Sequence, residues 1–234
     1  MPTKSENTRK RVKGNKSSNK HQAIMNAAEK VFAEKGFHEA TISDIAKEAG
    51  VADPTIYEYF SSKEDLLFSV PAGRTLNHWK KNEELLQYIQ GATNKLRLLI
   101  YRHIRLYELN PNYAKLVMLI LKSSRNFLET EAYKNIQGSA KLIIHVLEEG
   151  VKTGEFRPDI QPYLVRAMIY GTIEHLVIRK SLTGVPEDIM SLAEDIIKYI
   201  LQGIMVVNKD GGSHIHLHFN DQGKIQIGDG SQGD

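Results

Sequence analysis

The sequence predicts an all-α protein with a β-hairpin appended near its C-terminal end, and three observations predict it. Apolar residues recur at three- and four-residue spacing from about Lys20 to Val207, the period of helices with one buried face. Starting and stopping residues punctuate that pattern: Thr41, Asp53-Pro54, Pro111 and Pro186 at starts, Gly36, Gly50, Gly154 and Gly184 at ends. Beyond Asn208 the period becomes two, as in strands. These shifts divide the chain into a basic segment (1–18), a small three-helix unit (19–66), a larger helical unit (67–207) and a tail (208–234).

The first segment is polar, and Arg9, Lys10, Arg11, Lys13, Lys16 and Lys20 crowd the first twenty residues. It has too little apolar surface to fold alone and is expected to be a disordered arm, either merely solvated or able to follow phosphates. The net charge of the 234 residues is only +3, so bulk charge does not suggest nucleic acid. There is no cysteine, which removes disulfides and thiolate sites from consideration. No signal peptide and no apolar run of membrane-spanning length are seen, so a cytoplasmic protein is expected.

Within the small unit, a helix from about Lys20 to Lys35 buries Ile24, Ala27, Ala28, Val31 and Phe32 and ends at Gly36. Thr41 and Asp44 form a capping box for a second helix, whose apolar face is Ile42, Ile45, Ala46 and Ala49. Gly50 ends it, Val51 is buried in the turn, and Asp53 is expected to cap a third helix with Pro54 at its first position. Ile56 and Phe60 face the core; Thr55, Glu58 and Tyr59 face outward, with Tyr57 on the flank. Ser61 and Glu64 suggest another capping box, with a helix from about Lys63. Pro71 either interrupts that helix or starts a new one. Two short helices around a Gly-Val turn make a helix-turn-helix, whose second helix is shaped for a major groove.

The runs IAKEAGV, TIYEYF and SKEDLL, with HQAIMNAAEKVFAEKGFHEATI before them, resemble the DNA-binding domain of the tetracycline-repressor (TetR) family over about residues 20–68. The resemblance implies a homodimer on double-stranded operator DNA. It places Tyr57 and Lys63 on phosphates, with Thr41 at a helix N-terminus facing the backbone and Tyr59 beside it. Ser43, Pro54 and Thr55 fall at base edges. Asp53 and Glu58 depart from the family's frequent basic residues, which throws weight onto Lys47, Lys63 and the arm. Glu58 either accepts from cytosine N4 or is simply solvated.

The larger unit reads as helices throughout, its last one running from Pro186. In the final two, Met168, Gly171, Thr172, His175, Leu192, Ile196 and Ile200 lie on apolar faces suited to a dimer interface, which the family forms from these helices. Polar groups among apolar ones between Trp79 and Arg179 are candidate effector contacts: Trp79, Arg102, His103, Tyr107, His145, Tyr170, Glu174 and His175. Each alone is as readily a core or surface residue. GTIEHLVIRKSLTG and LAEDIIKYILQGI are similar to TetR-type regulators of fatty-acid and acyl-CoA metabolism, which implies an apolar or acyl-bearing effector. A ligand-responsive repressor follows from the resemblance. A multidrug-responsive repressor is the alternative, as is a ligand-binding or interaction protein that no longer binds DNA.

In the tail, a turn at Asp221-Gln222-Gly223 would set Phe219 against Ile225 and Leu217 against Ile227, gathering the large apolar side chains on one face, which must dock somewhere. His214, His216 and His218 share the other face, either as a solvated polar edge or as zinc ligands. No cofactor is implied, and no nucleophile, general base or phosphate loop suggests an enzyme.

Overall fold

The computed structural model describes residues 4–206, 215–219 and 225–229. Helix α1 (Lys4–Glu39) buries the expected stripe, and its regular path breaks at Gly36, where φ is 76°. Helix α1 takes in the basic segment from Lys4. Extending an already nucleated helix avoids the unfavourable first turn, and Lys, Arg and Glu are good helix formers.

Helices α2 (Ile42–Ala49) and α3 (Asp53–Tyr57) form the helix-turn-helix. Thr41 Oγ1 accepts from the Asp44 N–H at 3.0 Å, and Asp44 accepts from the Thr41 N–H at 3.1 Å. Gly50 is left-handed at φ 66°, and its N–H and that of Val51 close onto the last carbonyls of α2. Two caps differ from expectation. Ala52, not Asp53, is the N-cap of α3, because the Asp53 carboxylate is taken by the Ser43 hydroxyl. Ser62, not Ser61, caps α4 (Lys63–Leu86), accepting from the Asp65 N–H at 3.0 Å, and Asp65 returns the contact to Ser61.

Pro71 lies inside α4, which continues through it. That one helix packs on both α1 and α8 (Glu131–Thr153), so it belongs to both halves of the molecule. Helix α5 (Ala92–Glu108) is capped from a distance. The Glu155 carboxylate accepts from the N–H groups of Ala92 and Thr93 at 2.8 and 3.0 Å, and these bonds hold it below the usual carboxylate range. Helix α6 (Pro111–Lys115) runs into a π-helical turn, Leu116–Leu121, lodged between α1 and α9 (Pro162–Thr183). A short α7 (Arg125–Leu128) precedes α8. The last helix, α10 (Ala193–Ile204), begins later than Pro186 implied, after a 3₁₀ turn at Met190–Leu192. Asp188 holds that turn through its contacts with Met190 and Ser191.

The expected fold class is also corrected at its end: the architecture is all-α, with no β-hairpin belonging to it. Among the described residues the core closes at Ile204, and an isolated bridge from Phe156 to Met205 ends the helical body. Strands β1 (Ile215–Phe219) and β2 (Ile225–Asp229) pair with each other and, among the described residues, with no third strand, Leu217 opposite Ile227 and Phe219 opposite Ile225. A lone two-stranded pair has too little buried face to act as a layer of the fold. The turn at Asp221-Gln222-Gly223 and the side-chain face expected to dock lie outside the described residues.

Two substitutions test this packing. A Cβ at buried Gly150 would overlap the ring of Phe156, so Gly150→Ala should cost about 1–3 kcal/mol in urea denaturation. Lys63 Nζ donates to the carbonyls of Phe37 and Ala40 at 2.8 Å and of His38 at 3.4 Å, and it lies 4.6 Å from the Phe37 ring centroid. Lys63→Met should lower stability by about 1.5–3 kcal/mol, since those carbonyls lose a charged donor.

Candidate DNA-binding face and effector cavity

The outer face of the helix-turn-helix carries Thr41, Ser43, Lys47, Pro54, Tyr57 and Glu58 in exposed positions, with Thr55 partly covered. Tyr57 is 57% exposed and has the reach of a phosphate contact. Three expected contacts sit differently. The Ser43 hydroxyl is engaged by Asp53. Tyr59 turns partly inward, its ring 5.7 Å from His21 and 6.4 Å from Phe60, so it packs α1 against the turn. The Lys63 ammonium spends its three donors on the carbonyls that close the α1 segment, which removes it from the set of free cations.

A cavity of about 670 Å³ lies in the helical body. Of the eight predicted effector residues, His103, Tyr107, Tyr170 and Glu174 line it. The others do not: Trp79, His145 and His175 lie away from it, and Arg102 lines a neighbouring groove. Thr75, His78, Tyr113, Lys122, Tyr133 and Arg166 are among the further polar and aromatic side chains of its lining, with Gln137, Lys141 and Tyr163. A usable signal existed for α4: Thr75, His78 and Asn82 recur at helical spacing, and Thr75 and Asn82 are its two buried polar residues. Trp79 drew attention by its chemistry, but one residue along a helix is a turn of 100° away from His78.

The cavity wall is aromatic and weakly polar. His103 meets Tyr107 and Tyr170 edge-on, at 5.1 and 4.5 Å between ring centres. The Tyr113 hydroxyl is 2.8 Å from Thr75 Oγ1. Lys122 and Glu174 pair with each other at the wall. The Nε2 atoms of His78 and His103 are buried with no hydrogen-bond partner among the protein groups. Burial, then the His78 and Lys122 charges, push His103 down to about 3. Burial, then Arg102 and Lys81, push His78 down to about 4. Burial raises the Tyr107 and Tyr170 hydroxyls and takes Tyr113 to about 12, so the wall is uncharged there at neutral pH.

One side chain joins this wall to the DNA-binding unit. Arg74 on α4 makes a fork to Glu29 on α1, with N–O distances of 3.0–3.2 Å, donates to Asn110 Oδ1 at 2.5 Å, and lies 5.5 Å from the Tyr113 ring centroid. Next to the cavity, on a face that shares Ala167 and Gly171 with its lining, α9 exposes Met168, Gly171, Thr172 and His175 beside Ile196, Ile200 and Tyr199 of α10, while Leu192 is partly covered. No atom lies within 4 Å of a Cβ built on Gly171. As for the three histidines weighed as zinc ligands, His214 and the side chains of His216 and His218 lie outside the described residues.

The depressed histidines predict a pH limb. Each binds its proton more weakly folded than unfolded, so their contribution is complete above the ordinary value of 6.5 and is lost as pH falls toward the folded values of about 4 and 3. His103→Phe should flatten the decline of unfolding free energy with falling pH, measured by urea titration at a series of pH values.

The geometry agrees with what the chain is similar to. Residues 24–70 match the family model described as bacterial regulatory proteins, tetR family, and residues 74–203 match that of the YsiA-like protein C-terminal region. The chain is 33% identical over 185 residues to the fatty acid metabolism regulator protein of Bacillus subtilis, covering 79% of this chain and 95% of that one. It is 26% identical to the KstR2 transcriptional repressor of Mycolicibacterium smegmatis, covering 80% and 91%. Among solved structures, FadR from Bacillus subtilis in complex with stearoyl-CoA superposes with a TM-score of 0.73 at 32% identity, over 78% of this chain and 98% of that one. FadR from Bacillus halodurans gives 0.73 at 31%, over 79% and 95%. The helix-turn-helix, the shared α4 and the helical body behind it are those of a DNA-binding transcriptional regulator, not of an enzyme, and the chain belongs to the TetR family.

Proposed function

We propose that the protein is a dimeric repressor that binds a palindromic operator and leaves it when a long-chain acyl-CoA enters the helical body. The observation that carries this reading is the cavity itself. It is lined mostly by aliphatic and aromatic side chains, with a few buried polar atoms able to orient a thioester or carbonyl. The likeness to a regulator crystallised with stearoyl-CoA supports the acyl class over a cationic drug.

On the operator side, Tyr57 and Lys47 are the phosphate contacts of this reading, with Thr41 and Ser43 near the backbone and Pro54 and Thr55 at base edges. Glu58 is a solvated carboxylate, and Tyr59 and Lys63 act by shaping the domain. Two copies would meet through Met168, Gly171, Thr172 and His175 of α9 and the Leu192, Ile196 and Ile200 face of α10, where Gly171 permits close approach. That pairing sets two α3 helices one helical turn of DNA apart, about 34–36 Å.

Release follows from differential affinity: an acyl chain that packs better when Tyr113 shifts would favour a second position of Arg74 and hence of α1. Fluorescence anisotropy on the protein's upstream DNA should show operator affinity falling by about 1–3 kcal/mol with saturating stearoyl-CoA. Glu29→Gln should keep DNA binding yet shrink that change by about 0.5–2 kcal/mol. Indifference of the wild-type protein to every long-chain acyl-CoA tried would defeat the reading.

A further inference from the structure

The outer wall of the cavity opens onto a second feature. His78 and Leu106 line the cavity and also a smaller groove of about 240 Å³, in which Lys81, Arg102 and Arg105 stand together. None of the three has a carboxylate partner among the described residues, unlike Lys95, which pairs with Glu149, and Lys180, which pairs with Glu108. Arg102 is held in place: its Nε donates to Oδ1 of buried Asn82, and no other hydrogen bond of its guanidinium is seen among the described residues. The cluster is repulsive in the protein alone. Burial and then Arg105 lower Arg102, and Arg102 and Lys81 both help to lower His78. Lys81 and Arg102 continue into an outer groove, shared with Glu84 and Leu85 and ending at Tyr88, which is 82% exposed.

We propose that Arg102 and Arg105, with Lys81, form the subsite for the diphosphate of an acyl thioester's nucleotide head, and that Tyr88 offers a stacking face for its adenine. The inference rests on the acyl-thioester reading above and adds where the charged end lies. The order of groups along the surface matches the ligand's own order: an aromatic-lined cavity for the chain, a passage beside His78 and Leu106, three unpaired cations, then an exposed ring. Guanidinium groups bind phosphate oxygens through paired N–H donors, and an anion here would relieve repulsion already present. The competing place is the cavity side bearing Arg166 and Lys141. There the Arg166 guanidinium carbon lies 4.5 Å from the Tyr163 ring centroid, but its Nε is buried without a hydrogen-bond partner, so this side is the direct rival that the Arg166 variant tests.

The test is titration calorimetry of the full chain with stearoyl-CoA and with S-stearoyl-pantetheine, which keeps the thioester and lacks the phosphates. The wild-type protein should favour stearoyl-CoA by at least about tenfold, and the preference should shrink with added salt. Arg105→Gln should reduce the preference, and Arg102→Gln/Arg105→Gln should abolish it while pantetheine-thioester binding persists. Arg105 is exposed and unpaired, so the single variant keeps the test independent of any folding cost at Arg102. If both variants retain the full preference, or if Arg166→Gln removes it instead, the subsite is wrong and the acyl-thioester reading stands. If the wild-type protein binds neither thioester, both fall.

Discussion

The fork between Arg74 and Glu29 is the constraint to which the rest of the structure answers. It joins α1 of the DNA-binding unit to α4, and the Glu29 side chain is only 13% exposed. A carboxylate so covered needs its partner. Removing one member of such a pair leaves a charge stranded, a larger effect than the net worth of the pair. Asn110, at the start of α6, completes the guanidinium's contacts, and Tyr113 lies beneath it. Position 74 therefore has to satisfy three elements at once, and the orientation of the helix-turn-helix relative to the body is fixed by that requirement.

Helix α4 makes the constraint mechanically useful. It packs against both α1 and α8, so no flexible linker separates the halves. Pro71 lacks an N–H, which leaves the ladder one rung short at the level of Leu67. The weakest point of the shared helix thus falls between Leu66 and Leu67, buried in the DNA-binding core, and Thr75, which faces the cavity. Helix α6 and its π turn press on α1 from the other side. Such turns are often found at functional sites, and this one lies where cavity and DNA-binding unit meet.

The helix-turn-helix was legible almost residue by residue, because its signals are local: a capping box four residues long, a glycine at a left-handed position, apolar residues three and four apart. The errors there were single-residue shifts of a cap, decided by which carboxylate a neighbouring serine captured. Lys63 was harder, since its three acceptors lie more than twenty residues away in sequence. The cavity was half legible for the same reason. His103, Tyr107, Tyr170 and Glu174 were found by residue type on the right helices, whereas Tyr113 and Arg166 depend on how helices cross. The last tail residues misled as to architecture, because alternation reports strand pairing and says nothing of whether the pair belongs to a larger core.

The same polar atoms that made the cavity hard to read explain why it would select its ligand. A buried nitrogen without a partner costs about 1–3 kcal/mol. His103 Nε2 carries that cost between the rings of Tyr107 and Tyr170, and burial denies it the proton that would draw an anion. A neutral imidazole can donate to or accept from a neutral group, so the inner end of the site favours a carbonyl or hydroxyl over a carboxylate. Lys122, Lys141 and Arg166 also line the cavity, Lys122 paired with Glu174, and a second group of cations stands at Lys81, Arg102 and Arg105 beyond His78. A thioester with its charge held several bonds away suits at once the neutral imidazole of His103 and the cations beyond His78.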